Sequence, residues 1–206
     1  MADRIVVINP NSTQGVTDAI DAALEPWRMA GGPTIECVTL AEGPPGIETQ
    51  AHVEQVVAPI CRLVRARADA GAFVIACFSD PGLHAAREAA SRPVLGIAEG
   101  GLLTALTLGE RFGIIAILKT SLPRHLRYVR QLGLAVRFAG EAPLRLGVVE
   151  LADAARTMER LREVGARLRD ADGADVLVLG CAGMAQYRRA LQDALEIRWS
   201  IRPRRR

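Results

Sequence analysis

The sequence predicts an α/β protein of two pseudosymmetric halves, each a mostly parallel sheet flanked by helices. Runs rich in Val and Ile alternate with segments in which apolar residues recur at the helical period, a pattern typical of βαβ units. A partial internal repeat supports two halves, because similar Ala-Asp-Gly turns precede the apolar runs that end in Cys77 and in Cys181. With 206 residues, 50% of them hydrophobic, the chain can bury a sizeable core.

Six short apolar segments are the predicted strands. Strands of a parallel sheet are covered on both faces, so they read as continuous apolar runs and not as alternating patterns. In chain order the predicted strands are Arg4–Ile8, Thr34–Leu40, Phe73–Cys77, Val94–Ile97, Phe112–Leu118 and Val176–Gly180.

Two apolar stripes at helical spacing predict helices between these strands. The first comprises Val53, Val56, Val57, Ile60, Leu63 and Val64, and the second comprises Leu151, Ala155, Met158, Leu161 and Leu168. The Gly- and Pro-rich stretch 42–46 predicts a loop near the strand ends, either a plain turn or a mobile flap. We expect residues 1–96 to form the first half, 97–189 the second, and 190–206 a segment that returns to the first half and ends in a basic tail.

Composition and charge narrow the classes of function. The longest apolar runs fall far short of the ~20 residues of a membrane-spanning helix, and the first residues carry no pattern of a secretion signal. The net charge is only +3, and no basic helix or aromatic platform accompanies the Arg-rich tail. We therefore expect a cytoplasmic protein whose partner is a small-molecule substrate, with neither nucleic acid nor membrane bound.

The sequence also predicts that no metal or organic cofactor is needed. The four cysteines and three histidines show no metal-ligand spacing, and no Gly-rich phosphate-binding loop of Walker or dinucleotide type is present.

Polar or reactive residues follow four of the predicted strands. Ligands of open α/β sheets bind outside the carboxyl ends of the strands, so these four loops are the predicted site. They contain Asn11 and Ser12, then Cys77 and Ser79, then Lys119, Thr120 and Ser121, and finally Cys181, Ala182 and Gly183. Asn11 and Ser12 could instead cap the first helix, and Lys119 is either an anion clamp or a solvated surface residue.

Cys77 and Cys181 are the predicted catalytic residues. Asp80 before Pro81 predicts a helix N-cap shortly after Cys77, and Cys181 stands in the same relation to a helix that begins near Met184. The helix dipole then favours a thiolate and should hold the thiol pKa below its free value of roughly 8.5. The alternative is that each cysteine is a buried apolar residue at a strand end. The other two cysteines, Cys37 and Cys61, are predicted to belong to the core.

Two opposed thiols suit racemisation without a cofactor. A thiolate removes a proton from one face of a carbon while the other thiol delivers a proton to the opposite face. The carbon must lie beside a carbonyl or carboxylate whose developing enolate is held by hydrogen-bond donors. The candidate substrate-binding groups are Asn11, Ser12, Ser79, Thr120, Ser121 and the amides of Ala182 and Gly183.

Three motifs resemble the hydantoin racemase branch of the aspartate/glutamate racemase superfamily. They are Ile8-Asn9-Pro10-Asn11-Ser12, Cys77-Phe78-Ser79-Asp80-Pro81-Gly82-Leu83 and Gly180-Cys181-Ala182-Gly183-Met184. The resemblance runs from Ile5 to about Leu195 and implies a two-base racemase, usually a homo-oligomer, with its active site in the cleft between two α/β halves. It maps Cys77 and Cys181 onto the catalytic pair and implies a substrate of the hydantoin type, a cyclic ureide. The alternatives are an acidic amino-acid racemase and a small-molecule-binding relative without turnover.

Overall fold

The computed structural model describes residues 4–195, which form two parallel sheets with helices packed against them. The strands are β1 (Arg4–Asn9), β2 (Thr34–Thr39), β3 (Ala72–Ile75), β4 (Val94–Gly96), β5 (Phe112–Ala116), β6 (Phe138–Pro143) and β7 (Val176–Leu179). The helices are α1 (Gln14–Leu24), α2 (Gln50–Gln55), α3 (Val57–Ala66), α4 (Leu83–Ala89), α5 (Ile97–Leu108), α6 (Leu122–Gln131), α7 (Ala154–Asp170) and α8 (Arg188–Leu195). The predicted α/β fold class is confirmed.

The described residues divide into two compact units. The first contains residues 4–99 and Cys181–Gln186, and the second contains Gly100–Gly180 and residues 187–195. Of the predicted return segment and basic tail, residues 196–206 lie outside the described part of the chain. Within residues 4–195, no helix is both long and apolar enough to cross a membrane.

The first unit is built on a four-stranded parallel sheet in the order β2-β1-β3-β4. In its centre, β1 pairs with β3 so that Ile8 lies opposite Ile75, and both side chains are fully buried. Helices α2, α3 and α4 supply much of the remaining core through Val53, Ile60 and Leu83. The Val- and Ile-rich runs therefore form the interior strands that the sequence predicts.

The second unit contains a three-stranded parallel sheet in the order β6-β5-β7. Every residue of β5 is buried, as expected for a central strand covered on both faces. The sequence does not predict β6, in which Ala142 is the one residue that is buried with its backbone included. Gly140, Glu141 and the terminal Pro143 interrupt the apolar pattern, and Pro is tolerated at the end of an edge strand.

The first apolar stripe forms two helices, where one was predicted. Helix α2 ends at Gln55 and α3 begins at Val57. Pro59 explains the break, because it has no N–H to donate to the Gln55 carbonyl and its ring collides with that group in a continuous helix. The buried side of the stripe is nevertheless continuous, with Val56 and Ile60 both fully buried.

The second stripe is correct only in part. Leu151 lies in a short 3-10 helix before α7, and Ala155 is exposed. Thr157 takes a core position instead, fully buried, and donates a 3.4 Å hydrogen bond to the Leu151 carbonyl. Because Thr157 carries a hydroxyl, a pattern of apolar side chains does not include this position.

The 42–46 loop is tied to the loop that follows β1. Ser12 donates its backbone N–H to the Pro44 carbonyl at 2.9 Å, and Thr13 Oγ1 donates to the Pro45 carbonyl at 2.7 Å. Gly43 lies so close to the first loop that a Cβ atom there would overlap the Pro10 carbonyl oxygen. Two hydrogen bonds and this close approach favour the turn over the mobile flap.

Gly43→Ala is expected to lower the free energy of unfolding by about 1–3 kcal/mol, because the backbone must move to relieve the overlap. The matched control is Gly15→Ala, where the new methyl group meets nothing within 4 Å and the helix gains propensity. Urea unfolding of both variants measures the difference, and equal stabilities would contradict the close packing of this loop.

Candidate active site

The loop after β1 is organised by Asn9, whose side chain is 1% exposed. Asn9 Nδ2 donates to Thr17 Oγ1 at 2.9 Å and to Asn11 Oδ1 at 3.1 Å, while Asn9 Oδ1 accepts the Asn11 N–H at 3.2 Å. Asn11 Oδ1 also accepts the N–H of Thr13 at 3.0 Å, just before α1. The Asn11 side-chain oxygen thus shapes the turn before α1 but does not cap the helix, because the N-cap residue is Thr13 and no side chain within residues 4–195 caps α1. Sequence reasoning missed Asn9 itself, although the Asn-Pro-Asn spacing is a signal for such a turn.

Cys77 lies two residues beyond the end of β3 and is half-buried, with Phe78 buried beside it in the chain. The predicted N-cap is wrong. Helix α4 begins at Leu83, its N-cap position is Gly82 with φ of 68°, and the Asp80 side chain is directed elsewhere. The Asp80 carboxylate instead accepts the backbone N–H groups of Ala98 and Glu99, at 3.0 and 2.8 Å, in the first turn of α5.

Cys181 follows β7 after a single glycine and belongs to the first unit, as does Cys77. No α-helix begins near Met184: Ala182–Tyr187 form a 3-10 helix, and α8 begins only at Arg188. The backbone N–H groups of Gly183 and Met184 lower the thiol pKa, and the nearby Glu48 carboxylate raises it. Burial has the largest effect, so the pKa of Cys181 is raised to about 11. The predicted lowering of this thiol pKa is wrong.

The pKa of Cys181 makes its alkylation strongly dependent on pH. Because only the thiolate reacts, the rate of its modification by iodoacetamide is expected to rise roughly tenfold per pH unit between pH 8 and 10. Mass spectrometry of the modified peptide measures this rate. An alkylation rate that stops rising below pH 9 would contradict the raised pKa of Cys181.

The same raised pKa makes the stability of the fold depend on pH. Since the folded protein keeps the Cys181 proton to higher pH than the unfolded chain, the stability contributed by this thiol is complete below its ordinary pKa and is lost as the pH rises toward 11.

The other two cysteines differ from each other. Cys61 is 7% exposed on the core face of α3, which confirms its predicted place in the core. Cys37 is only half-buried on β2, and its thiol interacts with the Asp21 carboxylate. Burial and this carboxylate raise the pKa of Cys37 to about 12.

The loop after β5 belongs to the second unit. Lys119–Ser121 form a 3-10 helix in which Lys119 and Thr120 are exposed and Ser121 is 1% exposed. Exposure of Lys119 favours its interpretation as a surface residue. Ser121 Oγ is buried and has no hydrogen-bond partner among residues 4–195.

Sequence reasoning also missed a buried pair in the second unit. His125 Nδ1 lies 2.5 Å from Glu141 Oε1, and both side chains are 4% exposed. The pair joins the first turn of α6 to β6, and α6 begins directly after Ser121. A lone His and a lone Glu, 16 residues apart, carry no local signal of pairing.

The first unit brings together most of the predicted site residues. It contains Cys77, Ser79 and Cys181, the first-loop residues Asn11 and Ser12, and the backbone of Ala182 and Gly183. Thr120 and Ser121 belong to the second unit. Within the described range 4–195, no group of three His, Cys, Asp or Glu side chains could hold a metal ion.

Comparisons with known proteins show which family this chain is similar to. The family described as Asp/Glu/Hydantoin racemase matches residues 5–201. A hydantoin racemase of Paenarthrobacter aurescens is 36% identical over 202 residues, covering 94% of this chain and 84% of the relative. One from Pseudomonas sp. (strain NS671) is 33% identical over 197 residues, covering 94% of this chain and 79% of the relative. Among solved structures, an allantoin racemase from Klebsiella pneumoniae superimposes with a TM-score of 0.90 at 34% identity, covering 95% of this chain and 81% of that one.

Proposed function

The chain belongs to the Asp/Glu/hydantoin racemase family and is a racemase, and we propose that it inverts a carbon acid of the cyclic ureide type with Cys77 and Cys181 as its two bases. One observation carries the mechanism. The two thiols follow the carboxyl ends of β3 and β7 and fall in the same compact unit, although 104 positions separate them in the sequence (181 minus 77). The carboxyl ends of strands are where α/β folds bind ligands.

The raised pKa of Cys181 sets the starting state of the proposed cycle. The raised pKa favours a protonated Cys181 at neutral pH, so in the proposed cycle Cys181 enters as the acid, and the two-base mechanism then requires Cys77 to enter as the base. Cys77 takes the hydrogen from the stereocentre, and the electron pair of the broken C–H bond moves into the adjacent carbonyl to give an enolate. Cys181 then protonates the opposite face of the carbon, the carbonyl re-forms, and the two thiols have exchanged their protonation states. The reverse reaction starts from this exchanged state, and the solvent restores the resting state.

Hydrogen-bond donors must stabilise the enolate oxygen, because its charge develops only during the reaction. The backbone amides of Ala182 and Gly183 follow Cys181 directly. The proposal assigns the Ala182 N–H to this oxygen, because the Gly183 N–H interacts with the Cys181 thiol. The Ser121 hydroxyl, which is buried without a partner among residues 4–195, is the proposed donor to a second polar group of the ureide. Asn11, Ser12, Ser79 and Thr120 are the remaining proposed contacts to substrate.

The proposed substrate class rests on the similar proteins. Hydantoin racemases and an allantoin racemase are 33–36% identical to this chain, and both substrates are cyclic ureides. We further propose a homo-oligomer that acts in the cytoplasm without metal or organic cofactor.

The test is an exchange assay in deuterated water. The panel contains 5-substituted hydantoins, allantoin and both enantiomers of aspartate and glutamate, and loss of the α-proton signal is followed by NMR. We expect exchange and loss of optical rotation with a ureide, unchanged by EDTA. Exchange confined to the amino acids would identify an acidic amino-acid racemase, and binding without exchange would identify a non-catalytic relative. Either result would overturn the proposed substrate class or activity.

A further inference from the structure

Asp80 links the loop that carries Cys77 to the start of a helix later in the chain. Its side chain is 5% exposed, and its two carboxylate oxygens accept the first-turn amides of α5, Ala98 N–H at 3.0 Å and Glu99 N–H at 2.8 Å. A carboxylate at this position satisfies two amides that have no partner within the helix, and its charge is favoured by the helix dipole. Asp80 therefore caps a helix that begins 17 residues after it (97 minus 80).

The backbone of Asp80 shapes the turn after Cys77. Its N–H donates to the Cys77 carbonyl at 2.9 Å, and its own carbonyl accepts the N–H of Leu83 at 3.1 Å. Its φ is 41°, in the left-handed region, where Asp and Asn are better tolerated than most side chains. The turn from Cys77 to α4 thus passes through a residue whose side chain is anchored outside the turn.

A glycine at the end of β4 leaves room for the Asp80 carboxylate. A Cβ atom on Gly96, at the end of β4, would overlap the carboxyl group of Asp80. The close approach of carboxylate to backbone requires glycine at this position.

Side-chain contacts other than those of Asp80 also connect α4 to β4 and α5. Arg87 Nη2 lies 2.5 Å from Glu99 Oε2, and Arg87 Nε donates to the Val94 carbonyl at 3.0 Å. These contacts hold α4 to β4 and α5 when the Asp80 anchor is weakened, so that a substitution at Asp80 acts mainly on the turn that bears Cys77.

We propose that Asp80 is a positioning residue for Cys77: by capping α5 it fixes the turn that places the thiol against the substrate carbon. This rests on the proposed function, in which Cys77 moves the proton. Proton transfer needs the donor and acceptor within hydrogen-bond reach, so a small displacement of the sulfur lowers turnover more than it lowers substrate affinity.

Asp80→Asn tests the two hydrogen bonds of the Asp80 carboxylate alone. Asn has nearly the same size as Asp and tolerates the same backbone conformation, but its side chain has only one acceptor oxygen. We expect kcat to fall roughly tenfold to a hundredfold with KM changed far less, since misplacement of a reacting group affects the chemical step. The alkylation rate of Cys77, read by peptide mass spectrometry, is expected to rise roughly threefold or more, because a looser turn gives the reagent easier access to the thiol. The rate for Cys181 should not change.

Two further variants separate positioning from stability. Asp153→Asn weakens a local helix cap made by an exposed Asp, at α7, where Asp153 Oδ1 accepts the Arg156 N–H at 3.1 Å, and should lower the melting temperature without the effects on Cys77 or kcat. Gly96→Ala should reproduce the Asp80→Asn changes with Asp80 intact, because the new methyl group displaces the carboxylate.

The outcomes are distinct. If Asp80→Asn lowers only the melting temperature, as Asp153→Asn does, Asp80 is merely structural and the proposal is overturned. A changed alkylation rate of Cys77 supports positioning even if Cys77→Ser were to retain racemase activity. In that case the two-cysteine mechanism would be wrong, whereas the role of Asp80 in positioning the Cys77 turn would still be supported.

Discussion

Replacing Cys77 or Cys181 singly by Ser is expected to abolish nearly all interconversion of the enantiomers, with kcat reduced roughly a hundredfold to ten-thousandfold. The two-base mechanism gives each face of the carbon a single acid–base group, and a serine hydroxyl is far less acidic than a thiol, so one face loses its group. General acid–base groups of this kind contribute about 10²–10⁴-fold each. Polarimetry of the ureide that shows exchange measures the loss.

Isotope exchange distinguishes this mechanism from a general loss of activity. The remaining cysteine can still remove the proton from the enantiomer that faces it, so each variant is expected to exchange solvent deuterium into one enantiomer only, with opposite choices for the two variants. Cys37→Ser is the matched control, since Cys37 is also half-buried, and it should keep wild-type racemisation. Racemisation at the wild-type rate in either catalytic variant, or exchange into the same enantiomer in both, would contradict the opposed-thiol mechanism.

Removing one member of the buried pair His125 and Glu141 should destabilise the second unit. Glu141→Ala leaves a buried imidazole without its carboxylate partner, and such a loss costs about 2–4 kcal/mol because the group stays desolvated. Urea unfolding followed by circular dichroism measures the change.

A double variant shows that the cost belongs to the pair. Replacing both residues by apolar side chains, His125→Leu with Glu141→Met, removes both polar groups together, so its destabilisation should be smaller than the sum of the two single replacements. Strict additivity of the two replacements would show that the 2.5 Å contact does not couple these side chains.

Local patterns in the sequence were sufficient to predict the fold class and the places where reactive groups follow strands. Six of the seven strands within residues 4–195 were predicted to within a few residues. The central strands β1, β3 and β5 are apolar runs that can be recognised without knowledge of the neighbouring strands. The loops with Cys77 and Cys181 follow from the ends of those runs. The break between α2 and α3 was also present in the sequence, since Pro59 interrupts any helix through Gln55.

Only the tertiary structure decided which groups meet. Asp80 and Pro81 have the local pattern of an N-cap, yet the Asp80 carboxylate reaches amides 18 and 19 positions away, because the end of β4 returns α5 to that loop. The pKa of Cys181 depends on the same long-range information. The local effect of two backbone amides lowers it, and burial by the assembled unit raises it further than they lower it. Periodicity reports what a residue does within its own helix or strand, whereas capping partners, buried pairs and desolvation depend on segments that come together only when the chain folds.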